Sequence, residues 1–160
     1  MHRDTAQDAL LRLRADRIAH LMLTDPSLTP DQSAAALGYP AGQVRRATVR
    51  AQAVLRAHRA APYLADVAQA VHQAGWTTTA AVPEVQYPAD DLVVAVLVLD
   101  GTTPPAPALV WDERHGWRTA TSRRHPLIKG AVPPPPGDGI RYLAQGTTPP
   151  PDALTAALTA

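Results

Sequence analysis

The sequence contains no cysteine and no phenylalanine, and Lys129 is its only lysine. Without cysteine the chain has no disulfides, no thiolate nucleophile and no cysteine-ligated zinc site. Aromatic residues make up 4% of the chain, so a core must be built mainly from alanine, valine and leucine. The longest apolar run, residues 92–99, is too short to span a membrane. The charged N-terminal segment does not resemble a signal peptide, and we expect a cytoplasmic protein.

Charge is distributed unevenly along the chain. Residues 1–62 contain nine Arg and five Asp, a net charge of +4, whereas residues 63–160 contain six basic and nine acidic residues, a net charge of −3. This asymmetry predicts a nucleic-acid-binding domain over residues 1–61 and a separate domain over residues 62–160. Because +4 is modest, we expect sequence reading by a homodimer rather than non-specific coating of DNA.

The first domain is predicted to contain three helices. The first covers about residues 4–23 and presents an apolar stripe to the other two. The second starts at Thr29, which with Gln32 forms a possible capping box, and ends at Gly38. The third covers about residues 41–58. A short helix, a glycine-containing turn and a longer helix are typical of helix-turn-helix DNA-binding units.

The third helix has two distinct faces. One face is spaced for burial and carries Val44, Thr48, Ala51 and Leu55. The opposite face is basic, and arginine, glutamine and valine side chains match the edges of guanine, adenine and thymine in the major groove. The candidate DNA-binding residues on this face are Gln43, Arg45, Arg46, Val49 and Arg50. The alternative interpretation is an arginine-rich helix that only faces solvent in a small bundle.

The stretch LGYPAGQVRRATVRAQAVLR, residues 37–56, resembles the promoter-reading C-terminal region of sigma factors. The resemblance implies binding to double-stranded DNA through the first turns of the third helix. It carries that role to Gln43, Arg45, Arg46 and Arg50. The sequence departs from the family at Thr48, usually leucine, and at Val49, often histidine. Since the similarity covers about a fifth of the chain, it suggests a DNA-reading module rather than a sigma factor.

The second domain is predicted to combine helices with an antiparallel sheet. A helix from Tyr63 ends at Gly75, and residues 92–99 form a central strand covered on both faces. Pro83 and Pro88 limit residues 82–87 to an edge or irregular strand. The other predicted elements are a hairpin of residues 108–112 and 117–123, a last strand over residues 140–143, and a final helix from about Pro149 capped by Thr147 or Thr148.

Two segments of this domain, LVWDERHGW at residues 109–117 and RYLAQGTTPPPDAL at residues 141–154, resemble an actinobacterial family of unassigned function. That resemblance implies a helix, a small antiparallel sheet with a W-D-E-x-H-G-W hairpin, and a final helix that begins with consecutive prolines. It implies no activity.

The sequence offers little chemistry for an enzyme. Asp112, Glu113 and His115 form its one carboxylate and imidazole cluster, for which weak metal binding or acid–base work is the alternative to a charged turn. The segment Arg123–His125 is a basic loop that either contacts phosphate or faces solvent. Glycine-rich phosphate loops and known catalytic motifs are absent from the sequence. We therefore expect neither an enzyme nor a cofactor.

These patterns predict an α+β protein with a three-helix helix-turn-helix domain followed by a small antiparallel sheet flanked by helices. The leading hypothesis is a sequence-specific transcriptional regulator whose C-terminal domain dimerises or binds an effector or protein partner. The alternative is a non-enzymatic adaptor that contacts RNA polymerase or another regulatory protein.

Overall fold

The fold is α+β, as the sequence predicts, in a computed structural model that describes residues 2–123, 133–143 and 146–160. Within those residues no helix is both long and apolar enough to cross a membrane. The predicted basic loop at Arg124 and His125 lies outside the described residues. The elements in chain order are α1 (His2–Thr24), α2 (Pro30–Ala36), a 3₁₀ helix (Ala41–Gln43), α3 (Arg45–Gln73), β1 (Glu84–Ala89), β2 (Leu92–Val98), β3 (Ala108–Asp112), β4 (Gly116–Ala120) and α4 (Pro151–Thr159).

The chain divides into two compact units, Met1–Arg59 and Ala60–Ala160. The core of the first unit is built largely from small side chains. Ile18, Val44 and Leu55 pack there with four buried alanines: Ala19, Ala34, Ala47 and Ala51. Alanine at a helix contact lets backbones approach closely and costs little side-chain entropy. The first unit can therefore form a packed hydrophobic core without phenylalanine.

Both ends of α2 are fixed by local hydrogen bonds. Thr29 Oγ1 accepts from the Gln32 amide at 3.1 Å, and Gln32 Oε1 accepts from the Thr29 amide at 3.0 Å, so the predicted capping box is confirmed. At the other end Gly38 has φ +78°. The Tyr39 amide donates to Ala34 O and the Gly38 amide to Ala35 O, both at 3.0 Å. This pair of bonds is a Schellman motif, which stops the helix sharply.

Helix α3 is longer than the sequence predicts. The third helix was expected to end near His58 and a new helix to begin at Tyr63, but α3 continues through Pro62 to Gln73. Pro62 removes the helical hydrogen bond to the carbonyl of His58, and its ring crowds that carbonyl. Because His58 and Pro62 are both exposed, water can hydrate that carbonyl. Ala60 and Ala61, directly before Pro62, favour helix, and Gly75 ends the helix as predicted, with φ +82°.

The four strands form one antiparallel sheet in the order β1-β2-β3-β4. Strand β2 lies between β1 and β3 and is buried along nearly all its length, which confirms the predicted central strand. Strand β1 is at the edge, and its register with β2 is irregular between Gln86 and Ala89. Pro88 falls inside that irregular stretch, where the missing amide breaks no regular ladder. The predicted hairpin is confirmed as β3 and β4, with Trp111 opposite Trp117.

Two predictions near the C-terminus are wrong. Residues 140–143 form no strand, only isolated bridges such as Arg118 with Tyr142. The reason is that Thr119 Oγ1 accepts the Arg141 amide at 2.9 Å, so a side chain replaces the ladder carbonyl. Helix α4 begins at Pro151 after Pro150, without a side-chain cap from either threonine. Each residue before a proline is disfavoured in helix, so the run of prolines at residues 149–151 delays the start.

Tyr63 connects three parts of the second unit through its hydroxyl. That hydroxyl donates to Pro149 O at 2.7 Å and accepts from Trp117 Nε1 at 3.0 Å. Burial raises the pKa of Tyr63, and the Trp117 bond offsets the rise in part. Because Pro149 and Trp117 are both buried, neither finds water when the hydroxyl is removed.

Changing Tyr63 to phenylalanine is therefore expected to lower the free energy of unfolding by about 1–3 kcal/mol, since it leaves a buried donor and a buried acceptor unpaired. Urea denaturation of the full chain measures this loss. Tyr142→Phe is a suitable comparison, because among the described residues the Tyr142 hydroxyl makes one bond, to Pro134 O at 2.8 Å. A Tyr63→Phe variant as stable as the unchanged protein would show that these bonds contribute nothing.

Candidate nucleic-acid interface

The start of α3 presents most of the sequence-predicted DNA-binding residues to solvent. Gln43 lies in the 3₁₀ helix and is exposed, as are Arg45 and Arg46 in the first turn of α3. Val49 and Arg50 follow one turn later and are half-buried. The five residues thus lie within about two helical turns. That is the length over which a helix end meets base edges in a major groove.

The buried face of α3 fixes which side chains point outward. Val44 is 4% exposed, Ala51 is fully buried and Leu55 is 7% exposed, so the predicted inward stripe is confirmed. Thr48 also lies on this face, where the sigma-like pattern has leucine. Its hydroxyl donates to Arg45 O at 2.8 Å, which satisfies the polar group inside the core. The threonine therefore does not disturb the orientation of the helix.

A groove of about 400 Å³ lies between α1 and the start of α3. Its residues are Gln7, Leu10, Leu11 and Arg14 from α1, with Gly42, Gln43, Arg45, Arg46 and Ala47. Three arginines therefore border one groove, and no carboxylate is among the described side chains that line it. Converging guanidinium groups create a local positive potential that attracts phosphate or other anions.

Sequence reasoning missed the contribution of α1 to this surface. The guanidinium carbon of Arg14 lies 5.1 Å from the centre of the Tyr39 ring, a cation–π contact that holds the charge at the groove. A sequence signal does exist, because Arg14 follows Leu11 by three residues. That spacing places Arg14 at the border of the apolar stripe of α1.

The carboxylate and imidazole cluster of the hairpin forms a turn. Asp112 is fully buried; its Oδ1 accepts the Arg114 amide at 2.8 Å, and its Oδ2 lies 3.3 Å from His115 Nδ1. Glu113 Oε1 accepts the Val93 amide at 3.1 Å. The Asp112 bonds lie within the turn, and the Glu113 bond joins the turn to β2. Among the described residues, no group of three or more His, Cys, Asp or Glu side chains is placed to hold a metal ion.

Comparison with known proteins gives one match. Residues 63–160 match the family of unknown function DUF6292, and the chain belongs to that family. The match includes the sheet and α4 but not α1 or α2. No curated protein and no solved structure matches the chain.

Proposed function

We propose that this DUF6292 member is a DNA-binding transcriptional regulator that reads the major groove with the start of α3. The observation that carries the proposal is the exposed basic end of α3, placed directly after a capped short helix and a Schellman turn. The proposed DNA-contacting residues are Gln43, Arg45, Arg46, Val49 and Arg50. The resemblance of residues 37–56 to the promoter-reading region of sigma factors supports the same assignment.

The chemistry of these side chains suits both parts of DNA recognition. Arg46 and Arg50 each carry a planar fork that fits guanine O6 and N7, and Gln43 can pair with adenine. Arg14 and Arg45, at the groove with α1, are suited to backbone phosphates, which position a protein on the duplex without reading sequence. The surface therefore offers a base-reading part and a phosphate-binding part side by side.

The second unit is proposed to provide a separate contact, either with a second copy of the chain or with an effector. Its net charge is negative, so it has little attraction for DNA itself. A homodimer would place two copies of α3 on half-sites about one helical turn apart. An inverted repeat in the selected DNA is the expected consequence.

The salt dependence of DNA affinity tests the phosphate contacts. Each phosphate contact changes the slope of log K against log salt by about −0.9 for duplex DNA. With several arginines engaged, the slope is expected to be about −3 or steeper per DNA-binding unit. Fluorescence anisotropy with a labelled duplex between 50 and 200 mM salt measures it. A slope near zero would contradict phosphate contact by this surface.

A protein-interaction adaptor is the second candidate, and one observation favours it. Leu10 lines the basic groove and is 46% exposed, and an exposed leucine beside arginines suits an acidic, partly apolar protein segment. The adaptor predicts no specific DNA site and at most weak association with DNA, together with direct binding to purified RNA polymerase. The regulator predicts a steep salt dependence and specific DNA sites.

A further inference from the structure

Arg118 is a buried cation on an apolar sheet face. It lies in β4 opposite Val110 of β3, and directly opposed residues in an antiparallel pair share a face. That face carries the buried cluster Leu92, Val94, Ala108, Val110 and Ala120. Arg118 is 2% exposed, and both terminal nitrogens, Nη1 and Nη2, are buried without a hydrogen-bond partner among the described residues. The guanidinium is thus shielded from bulk solvent, and no described protein group accepts a hydrogen bond from its terminal nitrogens.

The nearest acidic residue on this face is already engaged. Asp112 is opposite Gly116, diagonal to Arg118 on the same face. Its oxygens face the Arg114 amide and the His115 ring, and it makes no hydrogen bond to the guanidinium. Burial lowers the pKa of Arg118, and the nearby Tyr142 and Asp112 offset this only in part. Asp112 therefore attracts the charge at a distance but leaves its donors unused.

An unpaired buried guanidinium is costly, because desolvating a charge and its donors without replacement bonds opposes folding. Replacing such a residue by an apolar one of similar volume is often neutral or stabilising. A bound ligand that supplies hydrogen-bond acceptors to the guanidinium would offset this cost. Its two parallel N–H groups match a carboxylate or a phosphate in a bidentate arrangement.

We propose that Arg118 is the anion-binding residue of a ligand site in the second unit, taking the carboxylate or phosphate group of a small molecule. The inference does not depend on DNA binding, since Arg118 and the proposed interface lie in different units. A cavity of about 480 Å³ adjoins the end of β4; Ala120 and Arg141 are among the residues that line it, and Arg118 is not. Ala120 lies two residues from Arg118 and therefore on the same face. Because the guanidinium is enclosed and does not line this cavity, a ligand whose body occupied the cavity would reach Arg118 only through a local opening of the structure.

Thermal denaturation in different anions tests this site. The unchanged protein and Arg118→Met are compared in phosphate, acetate and chloride at equal ionic strength and pH. For the unchanged protein, Tm is expected to rise by about 5–10 °C at an anion concentration ten times Kd. For Arg118→Met it is expected to change by less than about 1 °C. In chloride the Tm of the variant is expected to be at least as high as that of the unchanged protein. In the anion that binds, the unchanged protein is expected to have the higher Tm.

Arg114→Met is the matched control, because Arg114 is an exposed arginine of the same unit, paired with Asp91 at 3.1 Å. It is expected to respond to anions like the unchanged protein. Arg118→Lys keeps the charge without the planar fork and is expected to lose most of the response while remaining folded. If Arg118→Met does not fold, the anion response of Arg118→Lys is compared with that of the unchanged protein instead.

A response to phosphate alone would indicate a phosphate-bearing ligand, and an equal response to acetate a carboxylate ligand; both support the site. Equal anion responses of the unchanged protein and the folded Arg118 variants would overturn it. Loss of stability by those variants in every anion would also overturn it, because Arg118 would then be paired within the fold.

Discussion

Replacing Arg46 or Arg50 by alanine is expected to weaken sequence-specific DNA binding by about 1–3 kcal/mol each, or roughly 5- to 150-fold. Arg46 is exposed in the first turn of α3, and Arg50 follows one turn later. Each substitution removes a guanidinium fork from the face proposed to meet base edges. Fluorescence anisotropy with a selected duplex and a scrambled duplex at the same salt concentration measures both the loss of affinity and the loss of discrimination.

The control for this prediction must remove the same charge elsewhere. Arg59 is exposed at the end of the first unit, far along α3 from Arg46. Arg59→Ala is expected to leave the discrimination between the two duplexes unchanged. Circular dichroism confirms that each variant is folded. If both Arg46→Ala and Arg50→Ala bind the selected duplex as tightly as the unchanged protein does, this face of α3 is not the DNA-binding face.

Changing Gly101 to alanine is expected to destabilise the second unit by about 3 kcal/mol, the upper end of the usual range for overpacking. The Gly101 amide donates to Trp76 O at 2.8 Å, and the Thr102 amide donates to Gly75 O at 3.1 Å. The loop after β2 thus lies directly on the turn that ends α3. A Cβ at Gly101 would meet the Gly75 carbonyl oxygen and come within 2.5 Å of the Trp76 carbonyl carbon.

These neighbours are backbone atoms, so they cannot rotate away as a flexible side chain would. A fall in Tm of more than about 10 °C is expected, and calorimetry or circular dichroism measures it. Gly42→Ala is the matched control, since a Cβ there meets nothing within 4 Å. If the two variants had the same Tm, the close approach of Gly101 to the backbone of Gly75 and Trp76 would not contribute to stability.

Local sequence signals predicted much of the fold. The capping box of Thr29 and Gln32, the glycine stops at Gly38 and Gly75, and the apolar run of β2 each depend on neighbouring residues alone. The outward face at the start of α3 was also predictable, because helical spacing fixes the side opposite Val44 and Ala51. The sequence therefore located most of the candidate interface before any tertiary contact was known.

The remaining features depend on contacts between distant residues. Pro62 reads as a boundary in the sequence, yet its exposed position lets α3 continue. Arg14 joins the groove because α1 packs beside α3; its spacing from Leu11 places it at the border of the apolar stripe but does not identify the helix that it meets. The alternation of polar and apolar residues favours a solvent-facing position for Arg118, because this pattern does not show that both faces of β4 are buried. These positions required the tertiary structure.

Sequence-specific DNA binding by α3 is tested most directly by incubating the protein with sheared genomic DNA from its source at about physiological salt and sequencing the DNA that is retained. The Arg46→Ala, Arg50→Ala double variant is treated in parallel. We expect a small set of enriched sites that share a motif with inverted half-sites, and loss of that enrichment in the folded variant. Folded protein that retains no sequence above background, or retains the same sequences as the variant, would contradict it.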